Sequence, residues 1–401
     1  MEKRFWSGIV RGFLVGLVIC AMILFWLLRT GNMISLVGSS EKTKELFQIM
    51  RKANYLEQYI EAYYLNGNEE RDMGEGIYKG LLESLNDPYS VYYTEQEYAN
   101  LLEKTTGTYC GIGAVVSQDT KTGIITIVEP YEGSPAAEAG LLPGDVIYKV
   151  EGEEVTGKDL SQVVSNMKGE EGTDVEISIL RGIEVIEVTI TRRQIEIDTI
   201  DYEMLDNSIG YIEVSSFDGV TGEQFREALI DLESQGQKGL IIDLRGNGGG
   251  RLDIVVDMLD RMLPEGIIVS TKTKDGKGEE YTSTDEEQFD KPLVVLIDEN
   301  SASASEVFAG AIQDYEIGKL VGTNSFGKGI VQTIFELEDG SALKLTTSEY
   351  FTPNGRNIHG DGLKPDVEVE LEKELLTKLN VEKSEDNQIQ TAILELEKMM
   401  K

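Results

Sequence analysis

The sequence predicts an α/β protein built in parts: a membrane helix, a small helical region, a β-rich domain with two helices, and an α/β core. Three observations carry this. An apolar run opens the chain, short alternating strands fill residues 107–193, and after residue 196 strands alternate with amphipathic helices. The length of 401 residues suits two or three domains. The expected divisions are a cytoplasmic tip and transmembrane anchor at 1–38, a helical region at 39–106, the β-rich domain at 107–193, the core at 194–371 and a charged helical tail at 372–401.

Phe13 to Leu28 is an unbroken run of sixteen apolar residues and glycines. With Ile9 and Val10 it approaches the ~20 residues that span a bilayer. Lys3, Arg4 and Arg11 precede it and only Arg29 follows closely. That asymmetry predicts a single pass through the cell membrane, with the N-terminus cytoplasmic and the remainder extracytoplasmic. Phe25 and Trp26 suit the outer interface. No Ala-x-Ala site follows the run, which favours an uncleaved anchor over a cleaved signal peptide.

Residues 41–65 place Leu46, Ile49, Met50, Ala53, Leu56 and Ile60 at helical spacing, and Asn66-Gly67-Asn68 stops that helix. A second helix is expected from Asp72 to Leu85, ending before Asn86-Asp87-Pro88. This part reads as helical and not catalytic. The next domain predicts strands at 113–117, 124–129, 145–150, 174–180 and 183–190, with short helices at 134–139 and 158–167. The core predicts strands at 209–215, 240–244, 293–297, 319–322, 330–337 and 342–350, and helices at 221–234, 252–263 and 304–313. Residues 272–287 read as an exposed hairpin or loop.

The net charge of −35 argues against a nucleic-acid partner, since such binding neutralises phosphates. It otherwise serves solubility. Cys20 lies in the apolar run, so Cys110 has no partner and the fold needs no internal disulfide. His359 is the single histidine, which leaves little room for a His-rich metal site and one candidate for a Ser-His-Asp scheme.

Three segments carry chemistry. In the first, the apolar strand of residues 293–297 runs into Asp298-Glu-Asn-Ser-Ala-Ser303 and a helix. A serine there sits where a helix start offers free N–H groups to an oxyanion, although Ser301, Ser303 and Ser305 are equally suited to be N-caps. In the second, Lys328 stands between two glycines before a strand, either as a solvated loop lysine or as a general base. A base must be neutral at working pH, which burial and local charge can arrange. Strand alternation would turn Gln332 to the same side as Lys328. In the third, Gly239-Leu-Ile-Ile-Asp-Leu-Arg-Gly-Asn-Gly-Gly-Gly250 joins a strand to a helix. Its glycines do not fit the dinucleotide pattern, but such a turn can offer N–H groups to an oxyanion.

Together these segments resemble the C-terminal processing peptidases, the tail-specific serine proteases. The resemblance rests on residues 300–314, 321–332 and 240–250, and on the 25-residue step from Ser303 to Lys328. It implies a crotonase/Clp-like α/β serine protease core, with Ser303 as nucleophile, Lys328 as general base and Gln332 as the residue that orients it. The backbone N–H groups of Ala304 and of a glycine at 248–250, foremost Gly249, would form the oxyanion hole. The family often has Pro where Gly248 stands. Gly111-Ile112-Gly113 and the segment 133–145 resemble the family's PDZ domain, whose loop would capture the C-terminus of a polypeptide substrate. Residues 80–90 and 352–366 also resemble the family, with Asn86 in place of the usual Asp. The implied enzyme is a serine endopeptidase acting near substrate C-termini without metal or cofactor. A homodimer is implied by the family and the amphipathic terminal helices. The rival readings are a His359 triad, a crotonase-like acyl-CoA enzyme, and a catalytically silent PDZ scaffold or adaptor.

Overall fold

The structure is a computed structural model that describes residues 41–66, 72–284, 288–375, 378 and 381–401. The expected membrane helix lies outside these residues. Among the described residues, no helix is long and apolar enough to cross a membrane. The chain divides into two compact units, one ending at Tyr78 and one running from Lys79 to Lys401.

Helix α1 (Glu41–Tyr63) follows the apolar spacing of its sequence yet has no buried residue. After α2 (Met73–Glu83) the chain forms β1 (Val91–Tyr93) and α3 (Glu95–Thr106). Helix α3 was not among the expected elements. Its start is a reciprocal cap: Thr94 Oγ1 accepts from the N–H of Glu97 at 3.2 Å, and Glu97 Oε2 accepts from the N–H of Thr94 at 2.9 Å. Gly107, at φ 71°, ends it.

The β-rich domain contains β2 (Thr108–Gly111), β3 (Ala114–Gln118), β4 (Ile125–Pro130), α4 (Pro135–Glu138), β5 (Val146–Val150), β6 (Glu153–Glu154), α5 (Leu160–Met167), β7 (Asp174–Arg181), β8 (Glu184–Thr191) and β9 (Arg193–Glu196). Its sheet runs β3-β4-β5-β7-β8, so β3 is an edge strand, while β2 and β9 pair separately. Alternation puts Val175, Ile177 and Ile179 of β7 into a core shared with Ile125, Ile127 and Val163.

The core contains β10 (Ile200–Leu205), β11 (Ile209–Val214), α6 (Thr221–Ser234), β12 (Gly239–Asp243), α7 (Leu252–Asp260), β13 (Gly266–Thr273), β14 (Glu280–Ser283), β15 (Leu293–Ile297), α8 (Ala304–Asp314), β16 (Gly318–Gly322), β17 (Ile330–Glu336), β18 (Ala342–Phe351), β19 (Val367–Glu368) and α9 (Asn387–Met399). The main sheet runs β10-β11-β12-β15-β16-β19, parallel except where β10 meets β11. Strands β12 and β15 are buried at every position. A parallel strand covered on both faces needs such a continuous apolar run. Phe225 of α6 and Phe308 of α8 pack on one face, and Ile389, Ala392 and Leu396 of α9 on the other.

A second sheet runs β1-β18-β13-β14, with β17 also on β18. It draws a strand from the stretch before residue 107, expected to be helical, onto the sheet of the core. Strand β1 pairs antiparallel with β18, setting Val91 opposite Lys344 and Tyr93 opposite Ala342. Residues 79–106 belong to the larger unit. Nothing local in those residues announces a strand partner some 250 positions away.

Candidate active site

Strand β15 ends at Ile297 and the chain turns through Asp298–Ala302 into α8. Ser303, at the N-cap of α8, has φ 57° and ψ −113°. A non-glycine residue with positive φ costs about 1–3 kcal/mol and persists only where its surroundings over-determine it. Here they do. The N–H of Ser303 donates to Glu306 Oε2 at 2.9 Å, and its carbonyl accepts from the Tyr350 hydroxyl at 3.0 Å.

The three serines separate by their partners. Ser301 Oγ donates to the carbonyl of Leu244 at 2.8 Å, and Ser305 Oγ to the carbonyl of Asn247 at 2.9 Å. Both are fully buried, so both hydroxyls serve the backbone. Ser303 instead lines a cleft of about 700 Å³. Lys328, Gln332, Lys344, Gly249 and Ala304 line it too, as do Leu101 and Lys104 of α3.

Lys328 is half-buried beside this cleft. Burial lowers the pKa of its amine below the usual lysine value, and the like charge of Lys344 lowers it further, while Glu306 and Asp87 oppose the shift. The net direction is the one a lysine base requires. Nζ sits 4.7 Å from the ring centroid of Tyr89. Among the described residues, no hydrogen bond joins it to Ser303.

Glu306 was not singled out in the sequence. Its carboxylate is fully buried and accepts from four donors. They are the N–H of Ser303, Ser325 Oγ at 2.6 Å, the N–H of Gly327 at 2.7 Å and the N–H of Lys328 at 2.8 Å. One side chain thus fixes the backbone of both the nucleophile candidate and the base candidate. The signal was available: a Glu three residues into a helix after Ser is a cap pattern.

Gln332 does not meet Lys328 in the expected way. Lys328 precedes β17, and the register of β17 against β18 shifts between Val331 and Gln332, which breaks the alternation assumed for residues 328, 330 and 332. Gln332 Nε2 donates to Thr346 Oγ1 at 3.4 Å.

Gly249 is brought against the serine, at φ 101°. A Cβ there would lie 2.6 Å from the carbonyl oxygen of Ala302 and 2.9 Å from Ala304 N, so only glycine allows the approach. Its N–H, however, donates to Asn247 Oδ1 at 2.8 Å. Asn247, fully buried, also donates to the carbonyl of Val214 and accepts at its own carbonyl from the N–H of Ala302. The turn is therefore stitched to the serine loop by a residue the glycine pattern hid. His359 is exposed and does not line the cleft.

In the β-rich domain, Gly111 pairs with Arg193, Ile112 is a core residue, and Gly113 has φ 76° with no room for a Cβ against Ser134. The carbonyls of Ile112 and Gly113 accept from Ala136 and Tyr131. The loop leads directly into edge strand β3.

Residues 208–369 match the model of peptidase family S41, residues 126–181 that of the PDZ domain, and residues 17–97 that of the activating protease CtpB N-terminal domain. The "Carboxy-terminal processing protease CtpA" of Bacillus subtilis (strain 168) is 37% identical over 322 residues, covering 80% of this chain and 69% of that one. The chain belongs to peptidase family S41. A "Probable CtpA-like serine protease" of Staphylococcus haemolyticus is also 37% identical, over 83% of this chain and 68% of its own. Among solved structures, a photosystem II D1 C-terminal processing protease is 29% identical, with a TM-score of 0.47, over 78% of this chain and 85% of that chain. As an S41 member with a PDZ domain, the chain is a serine-type peptidase of the C-terminal processing group. The resemblance drawn from residues 240–250, 300–314 and 321–332 is to this family.

Proposed function

We propose that the chain is a membrane-anchored, extracytoplasmic endopeptidase that cuts polypeptides near their C-termini by a Ser303–Lys328 acyl-enzyme mechanism. The observation that carries it is the strained Ser303 facing the same cleft as a lysine whose amine is driven toward neutrality. Neutral Lys328 takes the proton of Ser303 Oγ, and the alkoxide attacks the peptide carbonyl. Water then releases the acyl group. Ala304 N–H, at the start of α8, is one oxyanion donor. Gly249 becomes the second by exchanging Asn247 Oδ1 for the oxyanion. Gln332 comes to orient Lys328 once the amine leaves Tyr89. The PDZ domain recognises substrate C-termini through Gly111–Gly113 and the open edge of β3, or gates the cleft until they arrive.

Two features support attachment and association. The apolar run with its flanking cations fits an anchor in residues 1–38. Helix α1 leaves Leu46, Ile49, Met50 and Leu56 each more than half exposed, which suits a second copy. Sedimentation of the full chain with vesicles, against residues 39–401 staying in solution, tests the anchor. Light scattering of residues 39–401 tests the dimer.

The deciding assay is cleavage of an unfolded protein by residues 39–401. Ser303→Ala and Lys328→Ala are each expected to abolish it. Lys328→Arg is also expected to be inactive, because arginine keeps its proton. Full activity in Lys328→Ala would overturn the mechanism.

A further inference from the structure

Two lysines of the cleft rest on two tyrosines of one short segment. Lys328 Nζ lies 4.7 Å from the ring centroid of Tyr89, and Lys344 Nζ lies 5.4 Å from that of Tyr93. Both rings come from residues 87–93, which sequence patterning had assigned no chemical role. This segment is built to hold its place. Asp87 accepts from the N–H of Tyr89 at 3.0 Å and from Ser90 Oγ at 2.6 Å. Ser90 Oγ accepts in turn from the N–H of Thr346 at 3.1 Å, and Tyr92 is buried. Strand β1 then locks onto β18 beside Lys344.

We propose that Tyr89 is a positioning residue for the reaction: its ring seats the protonated amine of Lys328 away from Ser303, and loss of the proton frees the amine to reach the nucleophile. This rests on Lys328 being the general base. The physics is one-sided. An aromatic face attracts a cation, and the attraction vanishes for a neutral amine. The seat therefore favours the charged, resting form of Lys328, as do the carboxylates of Asp87 on the same segment and Glu306 on α8. Lys344 on β18 works against it, and burial works with Lys344. Lys104 and the Arg251–Asp253 ion pair also line the cleft. His359 acts only at one remove, through Asp87. The base is thus poised between a ring and two carboxylates that hold its proton and the burial and neighbouring cation that expel it.

The test is the pH dependence of kcat/KM in the full chain, with a peptide that does not itself titrate. The acid limb reports the free enzyme's base. Tyr89→Leu is expected to move this limb to lower pH. On the limb, activity relative to the variant's own plateau should rise by a factor of about 2–30, the range of a cation–π contact. Tyr89→Phe keeps the ring and should keep the wild-type limb. Lys344→Gln should move the limb the other way, and Lys344→Arg should restore it. Should Tyr89→Leu fail to fold, Tyr89→Met fills the site without a ring and makes the same reading. A limb that stays put in the ringless variant, or moves equally in Tyr89→Phe, overturns the proposal. An active Lys328→Ala would instead overturn the mechanism on which it rests.

Discussion

The two limbs of the cleft are held in opposite ways. Ser303 is fixed mainly by its own neighbourhood: the strand before it, the helix after it, and the buried Glu306 one turn on. Lys328 takes its backbone anchor from Glu306 but its side-chain seat from Tyr89, far away in the chain, in the turn before β1. A nucleophile must be rigid, because its attack geometry tolerates little error. A base that both removes and returns a proton must move. Under the proposed mechanism the difference teaches that strain is spent on the residue that stays and weak, charge-dependent contacts on the residue that shifts.

Breaking the shared point should have the largest effect. Glu306→Ala would leave four donors without their acceptor in a buried place. We expect a loss of at least about 1–3 kcal/mol in unfolding free energy, the cost of a buried donor left without an acceptor, read from urea titration, with loss of cleavage. A smaller change on the base limb should sharpen the contrast. Asp87→Asn removes a carboxylate that raises the pKa of Lys328, so the acid limb of kcat/KM should shift to lower pH with kcat little changed. Burial would raise the pKa of Asp87 itself, but hydrogen bonds from Ser90 and Tyr89 outweigh it and hold it below the usual value. A depressed carboxylate contributes stability that is present above the ordinary Asp range and lost as pH falls through the folded value. The wild type should therefore lose about 1 kcal/mol of stability on acidification that Asp87→Asn has already given up. The smallest effect belongs to Ser305→Ala. It removes one buried hydrogen bond to Asn247 and should cost about 1 kcal/mol in a thermal or urea melt while cleavage persists. Lost cleavage with unchanged stability would place the nucleophile at the wrong serine.

The parallel strands at the centre of the core and the helices beside them were legible because their periods are local and their apolar runs continuous, as in residues 240–242 and 293–297, whereas β10, β14 and β19, which carry no such run, and β13 were not among the expected strands. Ser303 and Lys328 stood out as candidates because the residues around them form recognisable motifs. Helix α3 carried a readable cap at Thr94 and Glu97 that went unused. The pairing of β1 with β18, and with it Tyr89, was not legible, since no local pattern encodes a partner so distant in the chain. The place of Gln332 was not legible for another reason: a register shift in β17 cancels the alternation that would turn it toward Lys328.

By itself, then, the sequence determined the central strands and helices of the core, the apolar faces, and the residue types able to do acyl transfer. Short-range sterics and periodic burial suffice for that. Only the tertiary structure decided which serine lines the cleft in a strained conformation, that Glu306 ties the backbones of Ser303 and Lys328 together, that Asn247 holds the N–H of Gly249, and that the amine of Lys328 lies over Tyr89. Each of these depends on side chains meeting across long loops, and a contact of that kind exists only once the layers have packed.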